Sequence, residues 1–125
     1  MEGGIKQQTI AVIDDDQCVL DVHTLIIEEA GYLVLPFLGA AEFLKVLNHG
    51  KIAIDAIVSD LNMPNISGKE LLKKVKIENC KIPFILLSGE VSLKTLKNGA
   101  HEADAVLSKP VDDDLLAAIE NLLDG

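Results

Sequence analysis

Aromatic side chains are scarce in this sequence, where they make up 3% of 125 residues and include no tryptophan. Hydrophobic residues still account for 49% of the chain, so the core must be built mainly from Leu, Ile, Val and Ala. There are two cysteines, Cys18 and Cys80, and their spacing matches no metal or redox motif. We interpret them as buried, unpaired thiols of a cytosolic protein.

Basic residues are also few relative to acidic ones, and the sequence contains no long apolar segment. The formal net charge is -9, from 20 acidic against 11 basic residues, which argues against nucleic acid or an anionic membrane as the direct partner. No apolar run approaches the length that spans a bilayer, and the polar start shows no secretory signal. We expect a cytoplasmic protein in which residues 1–8 form a flexible leader and residues 9–125 form one domain.

Five short apolar runs predict β-strands, because each is bounded by polar or turn-forming residues. Their interiors are almost entirely apolar, which is typical of a parallel sheet covered on both faces. The runs cover residues 9–13, 32–37, 54–60, 83–88 and 105–107.

Helical spacing of apolar residues follows each of these runs. In the first helix the predicted apolar face consists of Val19, Val22, Leu25 and Ile26. The alternation predicts an α/β fold of three layers, with a five-stranded parallel sheet between helices. The predicted helices cover residues 19–27, 40–48, 69–77, 92–97 and 112–123.

Polar side chains stand where four of the five predicted strands end. The carboxyl ends of parallel strands share one edge of the sheet, which is where open α/β sheets bind ligands. Each side chain has a plainer interpretation, as a helix cap, a turn residue, a strand-end hydroxyl or a surface lysine. Their coincidence at four strand ends favours a functional site. The residues are Asp14, Asp15, Asp60, Ser88 and Lys109.

The residue types at this edge indicate a magnesium and phosphoryl site. Carboxylates brought close together repel one another unless a cation compensates them, and hard oxygen ligands suit Mg²⁺. No His or Cys lies among them, which disfavours zinc. Lys109 and Ser88 add a cation and a hydroxyl, which suit a phosphoryl anion, and Asp60 is the natural nucleophile. Asp16 is expected to cap the first helix instead.

Four segments taken together resemble the receiver domain of two-component response regulators. They are IDDD at 13–16, SDLNMPNISG at 59–68, LLSG at 86–89 and LSKP at 107–110, and they extend over nearly the whole chain. The resemblance implies a flavodoxin-like fold with strand order 2-1-3-4-5, an order already known for chemotaxis receivers.

The resemblance also implies the chemistry of the site. Asp60 would accept a phosphoryl group from a phosphohistidine on a histidine kinase or a histidine phosphotransfer protein. Asp15 would bind Mg²⁺ directly and Asp14 mainly through water. Asp60 and the backbone carbonyl of Asn62 would complete the protein ligands.

Further roles follow from the same resemblance. Ser88 would bond a phosphoryl oxygen, and Lys109 would pair with the phosphoryl group or the carboxylate. Asn62 and Glu90 would tune the lifetime of the acyl phosphate. The Lys109–Pro110 peptide bond is expected to be cis, against a background of about 5–6% for X–Pro bonds.

Two positions depart from the family pattern. Val106 stands where the family usually carries Phe or Tyr, whose rotation accompanies the movement of Ser88 on phosphorylation. Glu102 stands where a glycine is common. The chemistry is expected to survive, but this aromatic rotation cannot report it. The output face is expected at residues 92–123, with an unknown downstream protein or a linked effector domain as partner.

Two other functions compete with a phosphorylation switch. Val106 favours a docking module that keeps the receiver fold without switching. The acidic run Asp14, Asp15 and Asp16 could imitate the nucleophile pair of a Mg²⁺-dependent phosphatase acting through an aspartyl phosphate, although Asp60 would then have no role. We expect no turnover of an aryl phosphate.

Overall fold

A single parallel sheet of five strands forms the centre of the computed structural model, in the order β2-β1-β3-β4-β5. The structure describes residues 7–50, 53–78, 81–89, 103–109, 111 and 113–124. The strands are β1 (Thr9–Asp14), β2 (Leu33–Leu38), β3 (Ala56–Asp60), β4 (Phe84–Ser88) and β5 (Ala105–Ser108). The described helices are α1 (Gln17–Glu29), α2 (Ala40–His49), α3 (Gly68–Glu78) and α4 (Asp113–Asp124).

The predicted fold class and strand order are confirmed. Four helices are described where five were predicted, because the helix expected at 92–97 lies outside the described residues. None of the described helices combines the length and apolar character needed to cross a membrane.

Two hydrophobic clusters, one on each face of the sheet, hold the layers together. α2 and α3 cover one face, where Phe43 and Leu71 are fully buried against β1, β3 and β4. α1 and α4 cover the other face, where Ile27 and Leu115 are fully buried. β3 and β4 are buried along their whole length, which explains why their sequences are continuously apolar rather than alternating.

The strand register is fixed at the amino end of the sheet by two aspartates used in the same way. Asp55 Oδ2 accepts the backbone N–H of Thr9 at 2.7 Å, and the N–H of Asp55 donates to the Thr9 carbonyl at 2.8 Å. Asp104 makes the equivalent pair with Phe84, at 2.7 and 2.8 Å. These pairs align β1 with β3 and β4 with β5, so that their carboxyl ends finish level.

The predicted apolar face of α1 is wrong. The buried residues of this helix are Leu20, His23 and Ile27, whereas Val22 and Leu25 are 55% and 56% exposed. The helix contains two stripes of similar spacing, and the one with Leu20, His23 and Ile27 faces the sheet. Spacing alone could not choose between them.

The prediction that Cys18 is buried is also wrong. Cys18 is a free, exposed cysteine at the second position of α1, on the side of the helix that faces solvent. Cys80 lies outside the described residues.

Candidate functional site

The three acidic residues at the end of β1 and just after it have three different roles. Asp14 is 1% exposed at the end of the strand, and its Oδ1 accepts the N–H of Asp16 at 2.9 Å. Asp15 is exposed. Asp16 caps α1, because its carboxylate accepts the N–H groups of Cys18 and Val19 at 2.9 and 3.2 Å. The predicted cap is confirmed, and Asp14 and Asp15 remain available to the site.

Asp60 is the last residue of β3, and the loop after it folds back onto its backbone. Asp60 is 7% exposed. The N–H of Leu61 donates to the Leu87 carbonyl at 2.8 Å, and the N–H of Gly68 donates to the Leu61 carbonyl at 2.9 Å. A Cβ atom at Gly68 would collide with the Asp60 carbonyl oxygen. Glycine at this position therefore lets the loop pack directly against the backbone of Asp60.

Lys109 joins the two buried carboxylates. Its backbone N–H donates to the carbonyl of Ser88 at 2.7 Å, which fixes the chain where it leaves β5. Its Nζ lies 3.1 Å from Asp14 Oδ2 and 3.1 Å from Asp60 Oδ1. One ammonium group thus contacts acids that are far apart in sequence.

The three carboxylates form a group suited to a cation. Ligand oxygens of Asp14, Asp15 and Asp60 lie within 4.8 Å of one another. All are hard oxygen donors, two are buried, and one faces solvent, which fits an ion that keeps several water ligands, such as Mg²⁺. Within the described part of the chain, this is the one cluster of three or more such groups.

Negative charge in this pocket is only partly compensated. Burial raises the pKa of the Asp60 carboxyl above its usual value, the charge of Asp14 adds to the rise, and the hydrogen bond from Lys109 opposes it. Burial lowers the pKa of Lys109, but its hydrogen bonds to Asp60 and Asp14 outweigh burial, so that the net direction is upward. Burial thus disfavours the charged form of Asp60, and a nearby cation would favour that form.

The remaining predicted residues lie around this centre where the structure describes them. Ser88 is 2% exposed at the end of β4, and the register places Leu87 opposite Asp60, so Ser88 is one residue further along the same edge. The backbone of Asn62 slightly opposes the rise in the pKa of the Asp60 carboxyl. Val106 is half-buried against the cluster on the α2 and α3 face. Glu90, Glu102 and Pro110 lie outside the described residues.

Sequence reasoning missed His23. Its side chain is buried on α1 and lines an open groove of about 410 Å³ together with Cys18, Val22, Lys109 and Val111. Burial lowers the pKa of His23, the charge of Lys109 lowers it further, and Asp14 opposes both. The imidazole of His23 therefore lies beside Lys109 and the acidic pocket. Its spacing of three from Leu20 and four from Ile27 was the available signal.

The geometry agrees with the proteins that the chain resembles. A sequence profile described as the response regulator receiver domain matches residues 10–120. The transcriptional regulatory protein FixJ of Bradyrhizobium diazoefficiens is 33% identical over 114 residues, which are 88% of this chain and 53% of that protein. The response regulator protein TmoT of Ectopseudomonas mendocina is 30% identical over 94% of this chain and 54% of its own length.

Comparison with solved structures also finds response regulator proteins. A response regulator receiver domain protein from Clostridium thermocellum superposes with a TM-score of 0.83 at 30% identity and covers 94% of both chains. The chemotaxis protein CheY4 of Vibrio cholerae superposes with a TM-score of 0.85 at 26% identity, over 94% of this chain and 100% of that one. The chain spans about half the length of the two curated relatives above.

Proposed function

Because the chain belongs to the response regulator receiver domain family, the phosphoacceptor domains of two-component signalling, we propose that Asp60 is its phosphoacceptor. The observation that carries this proposal is the pair of 3.1 Å contacts from Lys109 Nζ to Asp14 and Asp60. These contacts hold a fixed cation against the carboxylate that would receive the phosphoryl group. Asp60 also ends a fully buried strand, so its position is rigid.

The proposed reaction is transfer from nitrogen to oxygen. A carboxylate oxygen of Asp60 attacks the phosphorus of a phosphohistidine on a histidine kinase or a histidine phosphotransfer protein. The P–N bond breaks, its electron pair stays with the imidazole, and Asp60 becomes an acyl phosphate. The carboxylate reacts as an anion, so no base on this chain is required.

The proposed cofactor is Mg²⁺, held by the carboxylates of Asp14, Asp15 and Asp60 and by the backbone carbonyl of Asn62. When bound, it supplies positive charge to the phosphoryl oxygens. We assign the direct contact to Asp15 and a water-mediated contact to Asp14. Both carboxylate oxygens of Asp14 are already engaged, Oδ1 by the N–H of Asp16 at 2.9 Å and Oδ2 by Lys109 at 3.1 Å, which supports this division.

The added charge is the proposed signal. Lys109 and the Ser88 hydroxyl would both bond the phosphoryl oxygens in one arrangement of the loops, and the domain would shift toward that arrangement. A coupling of about 1–3 kcal/mol changes partner affinity roughly 5- to 150-fold. Asn62 and Glu90, two residues beyond Asp60 and Ser88, are proposed to set the lifetime of the acyl phosphate.

The proposed output face combines β5, α4 and the predicted helix at 92–97, and its partner is a downstream protein or a linked effector domain. With Val106 in place of the usual aromatic, this face must respond without a ring rotation. We place the protein in the cytoplasm, where two-component phosphotransfer occurs. The net charge of -9 supports protein partners rather than nucleic acid or a membrane.

Mass spectrometry tests the acceptor. Incubation with Mg²⁺ and acetyl phosphate should add one phosphoryl mass to the parent protein and none to Asp60→Asn. Asp21→Asn, an exposed acid on α1 outside the pocket, is the matched control and should be phosphorylated like the parent. An adduct that persists in Asp60→Asn would move the acceptor elsewhere.

A docking module without switching is the second candidate, and Val106 is the observation that favours it. Phosphorylation that leaves partner affinity and amide exchange across residues 92–107 unchanged would support this alternative. The phosphatase hypothesis is disfavoured, because Asp16 caps α1 and so cannot serve as the second acid of a nucleophile pair at Asp14.

A further inference from the structure

The solvent-facing side of α1 is both apolar and acidic. Val22 and Leu25 are 55% and 56% exposed. Asp21, Glu28 and Glu29 are exposed as well, and spacings of three and four residues place all five on one side of the helix. We call this set, Asp21, Val22, Leu25, Glu28 and Glu29, the α1 stripe.

The end of the α1 stripe is electrostatically unfavourable within one molecule. Glu28 and Glu29 stand in the last turn of α1, and that turn contains no basic residue. The C-terminus of a helix carries partial negative charge, so carboxylates at that position repel it. A cationic partner at this end of α1 would replace repulsion with attraction.

The outer side of α3 carries more positive than negative charge, because Lys73 and Lys74 share it with one acid, Glu70, whose carboxylate accepts the N–H of Ser67 at 3.1 Å. Ile77 is 85% exposed, and the exposed Lys73 and Lys74 precede it by one helical turn. Lys76, on the same helix, pairs with Asp104 at 3.4 Å. Neither Lys73 nor Lys74 makes an ion pair within the described part of the chain. We call Lys73, Lys74 and Ile77 the α3 stripe.

We propose that this chain self-associates by packing the α1 stripe of one copy against the α3 stripe of another. Ile77 would fill the space between Val22 and Leu25, and the lysines of the α3 stripe would face the acids of the α1 stripe. Both stripes combine exposed apolar side chains with charge, and the net charge is negative on the α1 side and positive on the α3 side. A contact of either stripe with itself would set like charges opposite each other.

The geometry makes this contact heterologous. α1 packs on one face of the sheet and α3 on the other, so each copy that uses one stripe leaves the other free. Association therefore continues beyond a dimer, into open chains or a closed ring. Two short helical stripes bury little area, which places the contact among transient interfaces. Its ionic part weakens with salt.

A pair of complementary variants tests the proposal by sedimentation velocity. Leu25→Asp removes the α1 stripe and Ile77→Asp removes the α3 stripe, at positions exposed enough to leave the fold intact. The parent mass should rise with concentration, each variant alone should stay monomeric, and an equimolar mixture should form a dimer and stop there. Leu33→Asp, at a 48% exposed position on β2, is the control and should associate like the parent.

Charge exchange gives a second test that leaves the apolar contacts in place. Lys73→Glu with Lys74→Glu in one chain, and Asp21→Lys with Glu28→Lys in another, should each abolish association, and mixing the two chains should restore it. A parent that stays monomeric at every concentration overturns the proposal. So does either mixture that remains monomeric, which would assign the stripes to other partners.

Discussion

At Lys109, one ammonium group lies 3.1 Å from carboxylate oxygens of both Asp14 and Asp60. The two acids are 1% and 7% exposed, so water screens their mutual repulsion poorly. This lysine therefore has a structural role as well as the proposed role in binding the phosphoryl group.

We predict that Lys109→Ala destabilises the metal-free protein by about 2 kcal/mol at neutral pH, because it leaves two buried acids without a cation. The pocket is partly exposed, so this loss of stability is smaller than for a fully buried pair. Burial raises the pKa of Asp60 in the folded state, so the folded protein binds the proton more readily than the unfolded chain. The loss of stability caused by Lys109→Ala should be largest at pH values above the raised pKa of Asp60, and it should shrink as the pH falls through that pKa.

Urea unfolding at several pH values in metal-free buffer measures this loss. Lys45→Ala is the control, since Lys45 is exposed on α2 and its removal should change stability by less than about 0.5 kcal/mol. A loss for Lys109→Ala that grows on acidification would contradict the assigned electrostatics.

The charged residues of the site were predictable from the sequence because their chemistry is specific. Asp60 and Lys109 follow apolar strands directly, and a parallel sheet leaves such residues one edge to occupy. His23 was not predictable as a neighbour of that edge. Its contact depends on which side of α1 packs against the sheet, and that choice is made by tertiary packing.

Among the elements, the loop between β3 and α3 shows how backbone shape positions the acceptor. Ser67 and Glu70 form a reciprocal capping box, with both bonds at 3.1 Å, which fixes the start of α3. Gly68 then lies against the backbone of Asp60. A Cβ atom there would also come within 2.9 Å of Leu61 Cα and of Leu86 Cδ2.

We predict that Gly68→Ala lowers stability by about 2–3 kcal/mol, as expected for overpacking, and slows phosphorylation of Asp60 by acetyl phosphate. The backbone of β3 or of the loop must move to admit the methyl group, and either movement displaces the carboxylate. Thermal unfolding and the rate of phosphoryl incorporation measure the two effects.

Gly50→Ala separates strain from positioning. Gly50 has φ +65° and no atom within 4 Å of an added Cβ, and it follows α2 at the far end of the sheet. The Gly50→Ala variant should lose about 1 kcal/mol of stability from backbone strain, and its phosphorylation should not be slower. Equal phosphorylation rates in the two variants would show that Gly68 has no positioning role.

Element identity was easier to predict than element orientation. All described strands and helices lie where runs and spacing predicted them, because burial on both sheet faces leaves a strong apolar pattern. The prediction of the buried face of α1 is wrong because the exposed Val22 and Leu25 have the spacing expected of core residues. The position of Pro36 has a structural reason. The N–H of Leu33 donates to the Gln8 carbonyl, so the alternation along β2 turns the backbone nitrogen of Pro36 toward the open edge of the sheet. A proline there offers no N–H to another strand.

At the scale of the whole molecule, the order of the strands in the sheet brings together carboxylates from distant parts of the sequence. Asp14 ends β1 and Asp15 follows it, Asp60 ends the neighbouring strand β3, and one lysine stands against three carboxylates. The complete group exists only in the folded protein, because Asp60 lies more than forty residues along the chain from Asp14, Asp15 and Lys109. A cation that binds the cluster must therefore stabilise the fold as a whole.

We predict that Mg²⁺ raises the unfolding temperature of the parent, because at ten times its dissociation constant it adds about 1.4 kcal/mol, or roughly 5 °C for a domain of this size. Asp15→Asn should lose most of this shift while its metal-free stability stays within about 0.5 kcal/mol of the parent, since Asp15 is exposed. Glu120→Gln, an exposed acid on α4, should keep the full shift. Scanning calorimetry with NaCl of matched ionic strength separates binding from screening. Equal shifts in the parent and Asp15→Asn would mean that the ion acts on the overall acidity of the protein and not at this pocket.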